Sequence, residues 1–82
     1  MEIILYKNIV SNPDVCNGKP IFSGTRITVK TIMEFLLAGD NDKEILKSYP
    51  KLKQEDLQTG KEFTTMLFEK PLTIQPLNAS IK

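Results

Sequence analysis

Positively charged and amide side chains cluster in one stretch of the second half of the sequence. The lysines of this stretch suit contacts with phosphate oxygens, and its glutamines suit paired hydrogen bonds with the edge of an adenine base. The set comprises Lys47, Lys51, Lys53, Gln54, Gln58 and Lys61. Three carboxylates in the same stretch, those of Glu55, Asp56 and Glu62, would repel a polyanion. Two interpretations therefore stay open: a DNA-binding surface, and a surface that contacts only protein.

A second candidate is Arg26, the single arginine of the sequence. Its planar guanidinium forms paired hydrogen bonds with a carboxylate or a phosphate, which suits a contact with a binding partner. The alternative is an internal ion pair with Asp56 or Glu34. In either case Gly24, two residues earlier, is expected to supply a positive φ in the loop that presents Arg26.

Composition limits the classes of function. The 82 residues include no His and one Cys, so the commonest general base, an internal disulfide and a thiolate zinc site are all missing. We therefore expect no enzyme, no metal and no cofactor. The start of the chain lacks the pattern of a signal peptide, and no apolar run is long enough to span a membrane, so a cytoplasmic location is expected.

The charge balance bears on partners. A formal net charge of +1 is low for a protein that binds nucleic acid as a monomer. A chain this short also buries a small core, and association with a second copy would add to the buried area. We therefore predict a homodimer.

The first part of the chain reads as short β-strands. Apolar and β-branched residues form two runs, Ile3–Tyr6 and Ile9-Val10. Two further runs, Pro20–Phe22 and Arg26–Thr28, flank the loop Ser23–Thr25 and predict a β-hairpin.

Three helices should follow. Apolar residues at helical spacing predict the first from Val29 to Ala38, with Thr28 as its N-cap and Gly39 after its end. Asn41 and Glu44 match a capping box and open a short helix that ends near Ser48, before Pro50.

The third helix should run from Gln54 to Pro71, which is expected to end it. Gly60 within it costs helix stability. We predict a folded domain over residues 1–69 and an extended tail over residues 70–82. Three alternatives stay open for the tail: it contacts a partner, it frays, or it returns to the N-terminal strands. The apolar residues that would contact a partner are Leu72, Ile74 and Leu77. The fold class is α+β: a small three-helix helix-turn-helix core, homeodomain-like or winged, with an N-terminal β-hairpin.

Three blocks of the sequence carry a resemblance. The run Gly18–Val29, with its Gly-Lys-Pro opening and Gly-Thr-Arg-Ile turn, is followed at suitable spacing by Tyr49–Leu52 and Glu55–Leu57. Together they resemble a bacterial family called domain of unknown function 433. The sequence departs from that family at Lys53, where Thr or Ser is usual, and at Thr59–Lys61, where the family favours alanine.

The resemblance implies a helix-turn-helix fold. It also implies a function, because many family members are encoded beside a PIN-like ribonuclease toxin and are regarded as its antitoxin. The sequence therefore predicts an antitoxin of a type II toxin–antitoxin pair, which binds a PIN-like toxin directly and contacts operator DNA. Two alternatives are a protein–protein adaptor that has no DNA contact and a stand-alone transcription regulator.

Overall fold

A three-stranded antiparallel sheet opens the fold. The computed structural model describes the backbone of residues 1–74 and the side chains of residues 1–68. The strands are β1 (Ile3–Tyr6), β2 (Ile9–Ser11) and β3 (Ile21–Phe22), in the spatial order β1-β2-β3. The first two strands lie where the sequence predicts them, and β1 forms one edge of the sheet.

The partner of β3 differs from the prediction. Ile21 and Phe22 pair with Val10 and Ile9 of β2, whereas residues 26–28 contribute only a bridge between Thr28 and Ile21. The predicted hairpin is thus reduced to the turn around Gly24. The physical reason is burial, since all four paired residues of β2 and β3 lie in the core, while Thr28 already turns into a helix.

The helices begin where their capping residues predict. Helix α1 spans Val29–Leu37, with the Thr28 hydroxyl accepting from the Thr31 amide at 3.1 Å. Helix α2 spans Asp42–Ser48 behind a complete capping box. Helix α3 spans Gln54–Ile74. The α+β class, with three helices after a short N-terminal sheet, is confirmed.

The end of α3 corrects the sequence prediction. The helix continues through Pro71 to Ile74, so Pro71 does not end it, and residues 70–74 are helical rather than extended. A proline removes its own amide as a donor and crowds the carbonyl four residues earlier, yet the amides that follow it can still bond to the preceding turn, so the helix can continue past it. Although α3 has 21 residues, no helix in the described part of the chain is long and apolar enough to cross a membrane.

The core lies where the sheet meets the three helices. Its fully buried members include Ile9, Phe22, Ile32 and Leu57. Gly60 lies in the same region, because a Cβ atom built there would stand 3.2 Å from both Phe22 Cζ and Met33 Cε. The glycine therefore lets α3 approach the sheet and α1 closely, and this packing role offsets its unfavourable helix propensity.

One apolar residue of α1 does not reach this core. The sequence places Leu37 on the apolar face of α1, yet 87% of its surface is exposed. Leu67 and Phe68 of α3 are also exposed. The helices α1 and α3 therefore share apolar surface that the described part of the chain leaves uncovered.

Candidate nucleic-acid interface

The junction between α2 and α3 is a tight and well-supported turn. The Tyr49 amide donates to the Ile45 carbonyl at 2.9 Å, and the Leu52 amide donates to the Tyr49 carbonyl at 3.0 Å. Leu52 is buried, and the Tyr49 ring packs on Phe35 of α1 with 5.9 Å between ring centroids. Tyr49 therefore packs on the first helix. With these two side chains turned inward, the polar residues of the turn are left on the surface.

Three lysines surround this turn. Lys47 lies in the last turn of α2, and Lys51 and Lys53 lie between α2 and α3. All three side chains are exposed, and none of them forms an ion pair with a residue of the described region. We call this positively charged patch the turn lysines, and it can contact phosphate without breaking an existing ion pair.

The other predicted DNA contacts are already engaged with carboxylates. The Gln54 amide donates to Asp42 at 2.6 Å, and Lys61 forms an ion pair of 3.5 Å with the same carboxylate. Gln58 lies 3.5 Å from a Glu62 oxygen, to which its amide donates. The exposed face at the start of α3 is therefore a network of polar pairs, and base contacts by these residues would require the pairs to open.

Asp56 holds the start of α3 in place. Its carboxylate accepts from the Lys53 amide at 2.8 Å, which supplies the reverse half of a capping box. The other carboxylate oxygen accepts from the side-chain amide of Asn8, in the loop between β1 and β2. Asp56 thus compensates for a capping residue at Lys53 that cannot accept a hydrogen bond, and it joins the first loop to the last helix.

A second link joins the same two segments. The Tyr6 hydroxyl donates to Glu62 at 2.8 Å, and Lys7 forms a 3.1 Å ion pair with the same carboxylate oxygen. The hydrogen bond from Tyr6, followed by those from Lys7 and Gln58, lowers the pKa of Glu62 below its ordinary value. The hydrogen bond to Glu62 raises the pKa of Lys7. Both shifts favour the charged forms in the folded state.

This link predicts a pH dependence of stability. A carboxyl group whose pKa is lowered by folding contributes stability above its unfolded pKa, and that contribution is lost as the pH falls through the folded value. We expect Glu62→Gln to be less stable than the parent at about pH 7 and to show a smaller loss on going to about pH 3. Urea denaturation at both pH values measures the difference.

The matched control for this prediction is Glu55→Gln, which removes a carboxylate from the same helix. The Glu55 carboxylate has no hydrogen-bond or ion-pair partner in the described residues. If both variants change the pH dependence equally, the Tyr6 and Lys7 contacts contribute nothing specific.

The predicted partner-binding residues divide into two groups. Arg26 is exposed and forms no ion pair with a residue of the described region, so the internal pair with Asp56 or Glu34 is not formed. Its carbonyl oxygen lies 3.4 Å from the Cys16 sulfur. Leu72 and Ile74 belong to α3, where the structure describes the backbone at these two positions. Leu77 lies outside the described residues.

Sequence reasoning missed two features of this region. It did not foresee that Asp42 binds the side chains of Gln54 and Lys61, because Asp42 belongs to another helix. It also did not foresee that Gln58 donates to Glu62 in the next turn of α3.

Sequence reasoning also did not foresee that Leu37, on the apolar face of α1, is exposed. The sequence offers one signal of this exposure. Leu36 and Leu37 are adjacent, so the apolar face of α1 is one residue wider than a half-buried helix needs.

The fold defines a small α+β domain whose three helices follow a short antiparallel sheet. Within the described residues, no group of three or more His, Cys, Asp or Glu could hold a metal ion. The chain belongs to the family described as protein of unknown function (DUF433), which matches residues 9–63. The match begins at β2 and ends at Phe63 in α3. No curated protein and no solved structure is significantly similar to the chain.

Proposed function

We propose that the protein is the antitoxin of a type II toxin–antitoxin pair, which binds and blocks a PIN-like ribonuclease and contacts its own operator DNA. The observation that carries the DNA half is the cluster of turn lysines, exposed and without ion pairs in the described region. The toxin half draws on family membership and on the resemblance that the signature residues carry.

In this proposal α2 and α3 act as a helix-turn-helix of the homeodomain-like or winged kind. The turn lysines contact phosphates on either side of a groove, which orients α3. Gln54 and Gln58 then reach base edges once they leave Asp42 and Glu62. Because the net charge is only +1, two copies are needed to collect enough phosphate contacts.

Toxin binding is assigned to Arg26 and the end of the chain. An exposed arginine with no ion pair in the described region suits a carboxylate of an acidic nuclease site. The apolar residues Leu72, Ile74 and Leu77 add contact area along the C-terminal segment. Both features lie apart in sequence from the turn lysines, and the proposal assigns them to a separate partner.

A PIN-like nuclease encoded beside this gene would test the proposal through its ribonuclease activity. The full chain should abolish RNA cleavage at equal molar amounts, whereas a chain that ends at Glu69 should inhibit at least about tenfold more weakly. A chain that ends at Ile74 is the intermediate variant, since it keeps Leu72 and Ile74 and removes Leu77 with the last eight residues, and its inhibition should fall between the other two. Circular dichroism verifies that each shortened chain is folded.

The alternative functions give different results. A protein–protein adaptor would bind a partner without any salt-sensitive DNA binding, and the pairing of Gln54 and Lys61 with Asp42 favours this alternative. A stand-alone regulator would bind DNA and leave the nuclease fully active. If the nuclease keeps its activity in an excess of the full chain, the antitoxin proposal is wrong.

A further inference from the structure

A groove of about 380 Å³ runs between α1 and α3 on the surface. Its walls are almost entirely apolar, and several of the side chains that form them project into solvent. Leu37 is 87% exposed and Phe68 is 66% exposed. We call this feature the α1–α3 groove, and the residues that define it are Val29, Met33, Leu37, Phe63, Leu67 and Phe68.

The groove leaves apolar surface in contact with water, and a small domain gains no stability from this exposure. Contiguous apolar surface with a polar rim is typical of sites that bind another protein. Phe63 at its floor is buried and belongs to the core, so the groove is continuous with the folded interior rather than an isolated patch. Any occupant would therefore extend the existing core.

Two charged residues on the rim indicate which occupant fits. Lys30 and Glu34 lie one turn apart on α1, and both line the groove. Both are exposed, and neither forms an ion pair with a residue of the described region. A helix with opposite charges one turn apart is complementary to a second copy of itself running in the opposite direction, because each lysine then meets a glutamate.

We propose that the α1–α3 groove is the interface of a homodimer in which the two α1 helices pack antiparallel across a two-fold axis near Met33. Lys30 of each copy then lies beside Glu34 of the other, so the axis generates two ion pairs. Leu37 of each copy points toward the Val29 end of the opposite groove. This proposal rests on the homodimer of the proposed function and identifies the surface through which the two copies bind.

This dimer leaves the turn lysines uncovered. The groove contacts α3 from Phe63 onward, nine residues after the helix begins at Gln54. At 1.5 Å per residue this separates the two surfaces by about 13 Å along the helix axis. Dimerisation and the phosphate contacts of the turn lysines therefore use different parts of the surface.

Sedimentation equilibrium of the purified full chain, without DNA or nuclease, tests the apolar half of the interface. The parent should be dimeric, and Leu37→Glu should weaken self-association at least about a hundredfold, because two leucines leave the interface and two charges enter it. Ile4→Glu is the matched control, since Ile4 is an exposed apolar residue of the edge strand β1. It should leave the dimer intact.

A charge exchange tests the orientation of the helices. Lys30→Glu should weaken the dimer about tenfold, because each ion pair becomes a repulsion. The double variant Lys30→Glu with Glu34→Lys should restore the parental association, since the pairs are re-formed with reversed charges. In a parallel arrangement Lys30 would face Lys30 of the other copy, so Lys30→Glu would exchange one repulsion for another and leave no weakening to restore. An interface elsewhere would not respond to either variant.

Several results would overturn the proposal. They are a parent that stays monomeric, a dimer that survives Leu37→Glu, a dimer that dissociates with Ile4→Glu instead, and a failure of the charge exchange to restore association. A monomeric parent that still inhibits the nuclease would overturn the dimer and leave the toxin half of the proposed function standing. Circular dichroism of each variant verifies that loss of association is not loss of folding.

Discussion

Replacing Gly60 with leucine should destabilise the fold by roughly 2–3 kcal/mol, because the new side chain meets a filled space. A single Cβ atom there would already stand 3.2 Å from Phe22 and Met33. Phe22 is fully buried and its ring cannot move without displacing the sheet. Chemical denaturation measures the loss, which is a large share of the stability of a domain of this size.

Two further variants sharpen this prediction. Gly60→Ala adds only the Cβ atom, and the crowding is offset by about 1 kcal/mol of helix propensity, so its stability should stay close to the parent. Thr65→Leu places the same leucine on an exposed position of α3 and should not destabilise the fold. If Gly60→Leu and Thr65→Leu prove equally stable, the close approach at Gly60 does not constrain the fold.

The second large effect concerns DNA. Lys51→Glu combined with Lys53→Glu should weaken binding to operator DNA at least about a hundredfold at physiological salt, because two phosphate contacts become repulsions. The salt dependence should flatten as well, by about 0.9 in the log–log slope for each phosphate that is no longer neutralised. A titration of a labelled operator fragment at several salt concentrations measures both quantities.

Matched variants distinguish the loss of a specific DNA contact from a change in the net charge of the protein. Lys19→Glu changes the net charge as much as Lys51→Glu does but lies outside the turn, so it should have the smaller effect. Asp42→Ala should strengthen binding, because it removes the oxygens that hold Gln54 and Lys61 and also removes a negative charge. Equal effects of Lys19→Glu and Lys51→Glu would mean that α2 and α3 do not form a DNA surface.

Local signals in the sequence predicted the helices well. Thr28, the Asn41–Glu44 box and Pro50 act within a few residues of the boundaries they define, so their effect can be inferred without the rest of the fold. The start of α3 at Gln54 also agreed, although its capping group was not foreseen. The carboxylate that caps it belongs to Asp56, three residues into the helix.

Contacts between distant segments could not be predicted in this way. The pairing of β3 with β2, rather than with residues 26–28, depends on which strand offers a buried partner. The role of Gly60 depends on Phe22 and Met33, which lie far away in sequence. The sequence showed Gly60 only as a poor helix former, because the close approach exists only after α3 packs on the sheet.

The candidate site was predicted in part. The exposed turn lysines could be inferred from their position between two helices. The engagement of Gln54 and Lys61 could not, since both meet Asp42, a residue of α2 that helical periodicity does not relate to α3. The α1–α3 groove also escaped prediction, because an apolar stripe does not reveal which of its members the fold covers.

The two links between the N-terminal segment and α3 affect when the chain can fold during synthesis. Tyr6 and Asn8 are made before their partners Glu62 and Asp56, which come 56 and 48 residues later. The side chains of β1 and the loop after it must therefore wait until α3 has left the ribosome before they find these partners. Chains that terminate before Asp56 lack both links and the buried residues of α3, so incomplete translation products cannot adopt the native fold.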